Sequence, residues 1–163
     1  MQEKAYANLA WPQLTSHPNS EGSLLAITRR IFLDANVLVA IGFRPHGEYR
    51  PLLDLKQFNY VNSEHIVSEV SENLYYLGRD PIEFIASLRR QMEIMDQVMK
   101  LPAALPLDDD EDRQALAEAI GSRCEEFVTF NSRDFNAPYG QTIYGVPIRH
   151  SADFRRLHLP TEG

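Results

Sequence analysis

The chain is short of cysteine: Cys124 is the single one among 163 residues, so no internal disulfide can form. A chain with no disulfide framework fits a reducing compartment. Long apolar runs are missing too; none approaches the roughly 20 residues of a membrane span. The first residues contain no basic region followed by an apolar core, so a secretory signal is not expected. These absences together lead us to expect a cytoplasmic protein with no membrane partner. Basic residues are also scarce, with 16 Lys and Arg against 23 Asp and Glu and a net charge of −7. A protein that coats nucleic acid by bulk charge needs a basic face, and that class is excluded. An enzyme that meets phosphates through bound metal ions is not. His and Cys occur nowhere at the spacing of a zinc site. Neither an internal repeat nor a low-complexity tract is visible. Cys124, in Gly-Ser-Arg-Cys-Glu-Glu without a neighbouring His, reads as a structural or surface thiol.

What is present is an ordinary balance of 44% apolar and 24% charged residues, enough for one domain with a real core. Residues 1–28 lack a period and are dotted with turn signals such as Trp11-Pro12 and His17-Pro18, so they read as an N-terminal extension. Residues 29–160 read as the domain. Ile31 to Asp34 predicts a buried strand, and 36 to 43 a helix closed by Gly42. Gly47 to Lys56 predicts a helix with Pro51 near its start, and Tyr60-Val61 a strand. Ser63 caps a helix whose stripe is Ile66, Val70, Leu74 and Leu77 and which Gly78 ends. Asp80-Pro81 opens another helix running to about Asp96, with Ile82, Ile85, Leu88, Met92 and Met95 on one face. A strand is expected at 98–101, a helix from Arg113 to Ile120 stopped by Gly121, and strands at Phe127 to Phe130 and Val146 to Ile148. Ser151 is expected to cap a last helix. Strands alternating with helices predict an α/β fold with a mainly parallel sheet.

Such sheets bind ligands beyond the carboxyl ends of their strands. Asp34 follows one expected strand directly, and Asn131 and Asp134 follow another. Asp34 also reads simply as a helix N-cap. Asp112 ends a run of five acids begun at Asp108, and it lies four and seven residues before Leu116 and Ala119, at the edge of a buried face. At about 100° per residue, Glu69 borders the stripe of its helix while Glu72 points away. Gathered in one crevice, Asp34, Glu69, Asp112, Asn131 and Asp134 would repel or take up protons unless a cation neutralised them. Oxygen donors alone suit Mg²⁺ or Mn²⁺. Metal-assisted phosphodiester hydrolysis is chemistry that such a site performs well.

Four stretches in this order resemble the PIN-domain nucleases: Phe32-Leu33-Asp34-Ala35-Asn36-Val37-Leu38, Glu69 in its helix, Asp112-Arg113-Gln114-Ala115-Leu116-Ala117-Glu118-Ala119, and Phe127-Val128-Thr129-Phe130-Asn131-Ser132-Arg133-Asp134-Phe135. The likeness extends from Arg30 to Leu157. It implies a three-layer α/β/α PIN-like fold with a central, mainly parallel sheet. It implies a Mg²⁺- or Mn²⁺-dependent endoribonuclease acting on single-stranded RNA. Asp34, Glu69, Asp112 and Asp134 would be the catalytic acids, with Asn131 or Asp134 as the fourth metal ligand and Thr129 and Asn36 as hydrogen-bonding supports. Many small members of that family are toxins of bacterial toxin–antitoxin pairs (the VapC-like type), which implies an antitoxin protein as partner and a homodimer. Basic residues for RNA would come from Arg29 and Arg30, Arg89 and Arg90, Arg149 with His150, and Arg155 with Arg156. Two other readings remain open. One is a PIN-like fold kept as a non-catalytic binding module, because Asn131 stands where many members have an acid. The other is a phosphatase of the haloacid-dehalogenase type using Asp34, which would need an Asp where Asn36 stands.

Overall fold

The structure is a computed structural model that describes residues 28–96, 110–131 and 142–160. Trp11, the expected strand at 98–101, Asp108, Asp109 and Asp134 lie outside the described residues, as does all of the N-terminal extension but residue 28.

The centre is β1 (Arg29–Leu33), followed after one residue by α1 (Ala35–Phe43). Ile31, Phe32 and Leu33 are each fully buried, although they alternate between the two faces of the strand. An unbroken apolar run is what a strand needs when both faces are covered. Next come a 3₁₀ turn (Arg50–Asp54), β2 (Phe58–Ser63), α2 (Glu64–Tyr76), α3 (Ile82–Gln91) and β3 (Glu93–Met95). The second half holds α4 (Asp110–Gly121), β4 (Glu126–Thr129), β5 (Thr142–Ile143), β6 (Val146–His150) and α5 (Ser151–His158). The described residues form one sheet in the order β3-β2-β1-β4-β6-β5. Every pairing is parallel except β5 with β6.

Register and strand parity assign the layers. Ile31 is level with Tyr60 and Glu126, and Arg29 with Phe58. On that face the Tyr60 hydroxyl donates to Leu52 O in the 3₁₀ turn, and the Phe58 ring lies 5.3 Å from that of Phe154 in α5. Residues of the other parity meet α4: Arg30 donates to Ser122 O, and the Ser63 hydroxyl donates to Glu118. Between the layers, Phe32 stacks on Phe127 with centroids 5.6 Å apart. The chain steps from β1 to β2 to β3 in one direction and then crosses back to β4. Right-handed crossovers put helices of the two directions on opposite faces, which agrees with α4 facing away from the 3₁₀ turn. The result is helices on both sides of a mainly parallel sheet.

Several local expectations are corrected. Gly42 does not close α1. It sits inside the helix, where an added Cβ would meet the Phe84 ring at 2.6 Å and Leu74 at 2.9 Å. Its role is close approach of α1 to α2 and α3. The helix expected over Gly47 to Lys56 is only the 3₁₀ turn around Pro51. Gly78 does end α2, with φ +79° and a paired set of bonds from Arg79 N to Leu74 O (2.9 Å) and Gly78 N to Tyr75 O (3.0 Å). This is a Schellman closure. Leu77 falls past the helix end and is exposed, so the buried stripe is Ile66, Val67, Val70 and Leu74. In α3, Asp80 Oδ1 accepts from Ile82 N, but Ile82 itself is exposed and the helix packs through Phe84, Ile85 and Leu88. α3 stops at Gln91 because Met92 turns extended and Glu93 enters β3 beside Val61. Short apolar spacings fit either period, and sheet pairing decided this one. The last helix is capped by His150, whose Nδ1 accepts from Ala152 N, and Ser151 is its first residue.

Candidate active site at the carboxyl edge of the sheet

The carboxyl ends of β1, β2 and β4 lie side by side, since Phe32 pairs with both Val61 and Phe127. Continuing the register brings Asp34 level with Ser63 and Thr129. Asp34 is 7% exposed and has extended backbone, so its side chain turns back onto the start of α1. Oδ1 accepts from Ala35 N (2.8 Å), and Oδ2 accepts from the Thr129 hydroxyl (2.8 Å). The bond to Thr129 crosses from β1 to β4 and exceeds what a cap requires.

Asn36 completes the crossing. Its Nδ2 donates to Thr129 Oγ1 (3.3 Å), and its Oδ1 accepts from Phe130 N (3.2 Å). Thr129 Oγ1 also accepts from Asn131 N (3.0 Å). Thr129 is fully buried, so these bonds form away from bulk water, where a satisfied network is rigid. The carboxylate is held at both oxygens. Thr129 and Asn36 thus support Asp34 in the way expected of them.

The other candidate acids sit on different elements. Glu69 is half-buried in α2 while Glu72 is exposed, the difference given by their angles on the helix. Asp112 is half-buried in the first turn of α4, just before the buried run from Ala115 to Ile120. Asp110 and Glu111 are exposed, and Asp110 pairs with Arg113. Asn131 is half-buried two residues beyond the end of β4, and Asp134 lies outside the described residues. Among the described residues, no group of three or more His, Cys, Asp or Glu stands close enough together to hold a metal ion. The donor chemistry of Asp34, Glu69, Asp112 and the Asn131 carbonyl fits a hard divalent cation, as oxygen donors do.

Most of the basic side chains considered for RNA are engaged elsewhere. Arg29 pairs with Glu125 and Glu126, Arg30 with Glu93, Arg89 with Glu64, Arg149 with Glu126, Arg155 with Glu48 and Arg156 with Asp153. The hydrogen bond from Arg89 holds the Glu64 carboxyl below its ordinary range. Cys124 is buried beside Ser122, and desolvation pushes its thiol up to about 11. It is a structural thiol and no nucleophile at neutral pH.

Two buried polar residues at this edge escaped the sequence reading, Asn62 and Glu118. Glu118 sits in Ala115-Leu116-Ala117-Glu118-Ala119-Ile120, where every residue is buried. A helix segment apolar on all sides is buried on all sides, and that pattern was the available signal.

The architecture and this edge define an α/β protein with a buried acid, Asp34, directly after a central strand of a mainly parallel sheet. No protein-family profile matches the sequence, and no curated protein matches it either. Fourteen solved chains are similar in structure. One belongs to the crystal structure of VapBC2 from Rickettsia felis bound to a DNA fragment from their promoter; it is 15% identical, with a TM-score of 0.55 over 74% of this chain and 98% of that chain. At that identity the likeness concerns the fold, a three-layer α/β/α PIN-like fold with a central, mainly parallel sheet.

Proposed function

We propose that the chain is a metal-dependent endoribonuclease of the PIN type that hydrolyses phosphodiester bonds of single-stranded RNA. One observation carries this reading: Asp34 is buried at the switch from β1 to α1 and accepts from Thr129 at the end of another strand, whose hydroxyl Asn36 in turn holds. A mere cap has no use for that second strand. Asp34, Glu69 and Asp112 would hold Mg²⁺ or Mn²⁺, with Asn131 or Asp134 as the fourth donor. A bound cation would activate water and stabilise charge on the phosphate. The chain's own share is to fix the carboxylates before substrate arrives, which lowers the reorganisation left for the reaction. Thr129 and Asn36 do this for Asp34. Asn131 adds no charge, so a second cation would bind weakly or only with substrate. The resemblance in sequence and the VapBC2 likeness in fold support a toxin of a toxin–antitoxin pair, acting as a cytoplasmic homodimer with an antitoxin protein as partner.

Purified protein is expected to cleave a single-stranded RNA oligonucleotide with Mn²⁺ or Mg²⁺, to stop in EDTA, and to lose activity on Asp34→Asn. Cleavage that persists under both treatments overturns the reading. A second reading is a non-catalytic PIN-like binding module, favoured by Asn131 in place of an acid. Calorimetry that finds no Mn²⁺ binding at millimolar concentration would establish it. The phosphatase reading would need an acid at position 36, where the Asn36 amide instead bonds Thr129 and Phe130 N.

A further inference from the structure

Glu118 is 1% exposed, yet among the described residues no Lys or Arg pairs with it. Its Oε2 accepts from the Ser63 hydroxyl, and its Oε1 accepts from Gln114 Nε2 (3.0 Å). His65 Nδ1 stands 3.8 Å from Oε1. A buried carboxylate held so sparingly is costly, and an apolar residue of similar volume often stabilises a fold better. Some gain other than stability should account for it.

The path of hydrogen bonds shows where that gain lies. Leu33 O, one residue before Asp34, accepts from Asn62 Nδ2 (2.7 Å). Asn62 Oδ1 accepts from Ser63 N (3.1 Å). The Ser63 hydroxyl accepts from Ile66 N (3.2 Å), which caps α2, and donates to Glu118 in α4. Asn62, Ser63 and Glu118 are all buried. This polar path runs unbroken from the end of β1, through the first turn of α2, into α4. Asp34 directly follows the first of these elements, and the other two carry Glu69 and Asp112.

We infer that Glu118 is a positioning residue that locks the start of α2 against α4 and so sets Glu69 and Asp112 relative to Asp34. The inference rests on the nuclease reading. It adds that the spacing of the three acids is held through Glu118 and not by apolar packing alone. Groups that orient ligands from behind commonly change metal affinity or activity by about 10–100-fold when removed.

The test uses the full chain. Glu118→Leu keeps the volume and removes the acceptors, whereas Glu118→Gln keeps a carbonyl for the Ser63 hydroxyl. The Leu variant is expected to melt no lower than wild type. Its Mn²⁺ affinity and its kcat on single-stranded RNA should each fall at least about tenfold, with KM within about twofold, and amide exchange at Ile66 should speed up. The Gln variant should restore most of the loss. Ser63→Ala removes the donor from the other side and should weaken Mn²⁺ binding likewise, which keeps the test decisive if the Leu variant does not fold. Wild-type Mn²⁺ affinity and kcat in Glu118→Leu overturn the inference and leave the nuclease reading standing. A loss that Glu118→Gln does not relieve also overturns it. A wild-type protein that neither binds Mn²⁺ nor cleaves RNA overturns the nuclease reading and this inference with it.

Discussion

Glu118 and Glu126 are equally buried, at 1% exposure each, and they occupy opposite ends of the sheet. Glu126 opens β4 and is gripped by two guanidiniums, those of Arg149 and Arg29. Nearby, Arg30 pairs with Glu93, which also accepts from Asn59. The amino end thus neutralises its carboxylates with the chain's own arginines. At the carboxyl end Glu118 accepts from a hydroxyl and an amide, with His65 Nδ1 3.8 Å away, and Asp34 accepts from a backbone N–H and a hydroxyl. Arginine pairs staple strands together. Neutral donors aim a carboxylate without cancelling its charge, as a cation site requires. The same residue type is a fastener at one end and, on the reading proposed above, part of an aiming device at the other.

The largest effect that sharpens this contrast is expected for Thr129→Val. Valine matches the shape but removes the hydroxyl shared by Asp34, Asn36 and Asn131 N. RNA cleavage should fall by about 10–100-fold, the usual consequence of losing a group that orients a ligand. Steady-state kinetics on a defined oligonucleotide would measure it. Unchanged kinetics would show that Asp34 needs no aiming. The next effect lies at the other end. Arg149→Ala leaves buried Glu126 with Arg29 alone, whose Nη2 is 3.3 Å away. A lost charge-assisted bond of this kind costs about 2 kcal/mol. Urea unfolding should show that loss while kcat holds steady. If activity collapses as well, the two ends are not separate devices.

A smaller effect concerns the packing that carries Glu69. Gly42→Ala drives a Cβ to within 2.6 Å of the Phe84 ring and 2.9 Å of Leu74. Overpacking costs about 1–3 kcal/mol, and alanine's better helix propensity returns about 1 kcal/mol. A net loss of about 1 kcal/mol in urea is expected, with a modest fall in kcat because α2 carries Glu69. A stabilised variant would show that α3 yields freely.

Much of this was legible in the sequence, for physical reasons that differ by element. β1 and β4 announced themselves because strands covered on both faces must be apolar throughout. The α2 cap at Ser63 and its closure at Gly78 follow from chemistry confined to a few residues. The borderline place of Glu69 followed from helical angle alone. β3 was misread as helix because Met92, Ile94 and Met95 suit either period and its pairing with β2 is a long-range fact. Gly42 was misread because a close approach cannot be told from a helix stop without the neighbour's position. Glu118 was passed over because a lone acid among alanines names no partner, and Ser63 is 55 residues away.

The smallest effect concerns pH and separates the two ends cleanly. The hydrogen bond from Arg30 is the main reason that the Glu93 carboxyl lies below its ordinary value of 4.5. A carboxyl depressed in the folded state stabilises the fold above its unfolded pKa, and that contribution fades as pH falls through the lower, folded value. Glu93 is half exposed, so screening limits the pair to about 0.5 kcal/mol. Glu93→Gln should therefore be slightly less stable than wild type in urea at pH 7, and the two proteins should converge as the pH falls below the ordinary carboxyl range and through the lower, folded value. Added salt at pH 7 should shrink the same gap, because exposed pairs are screened. Glu118→Leu, which removes bonds to a hydroxyl and an amide and no arginine pair, should show no stability gap that salt shrinks. If the Glu93 gap ignores salt, or a salt-sensitive gap appears in Glu118→Leu, the division between a fastened end and an aimed end does not hold.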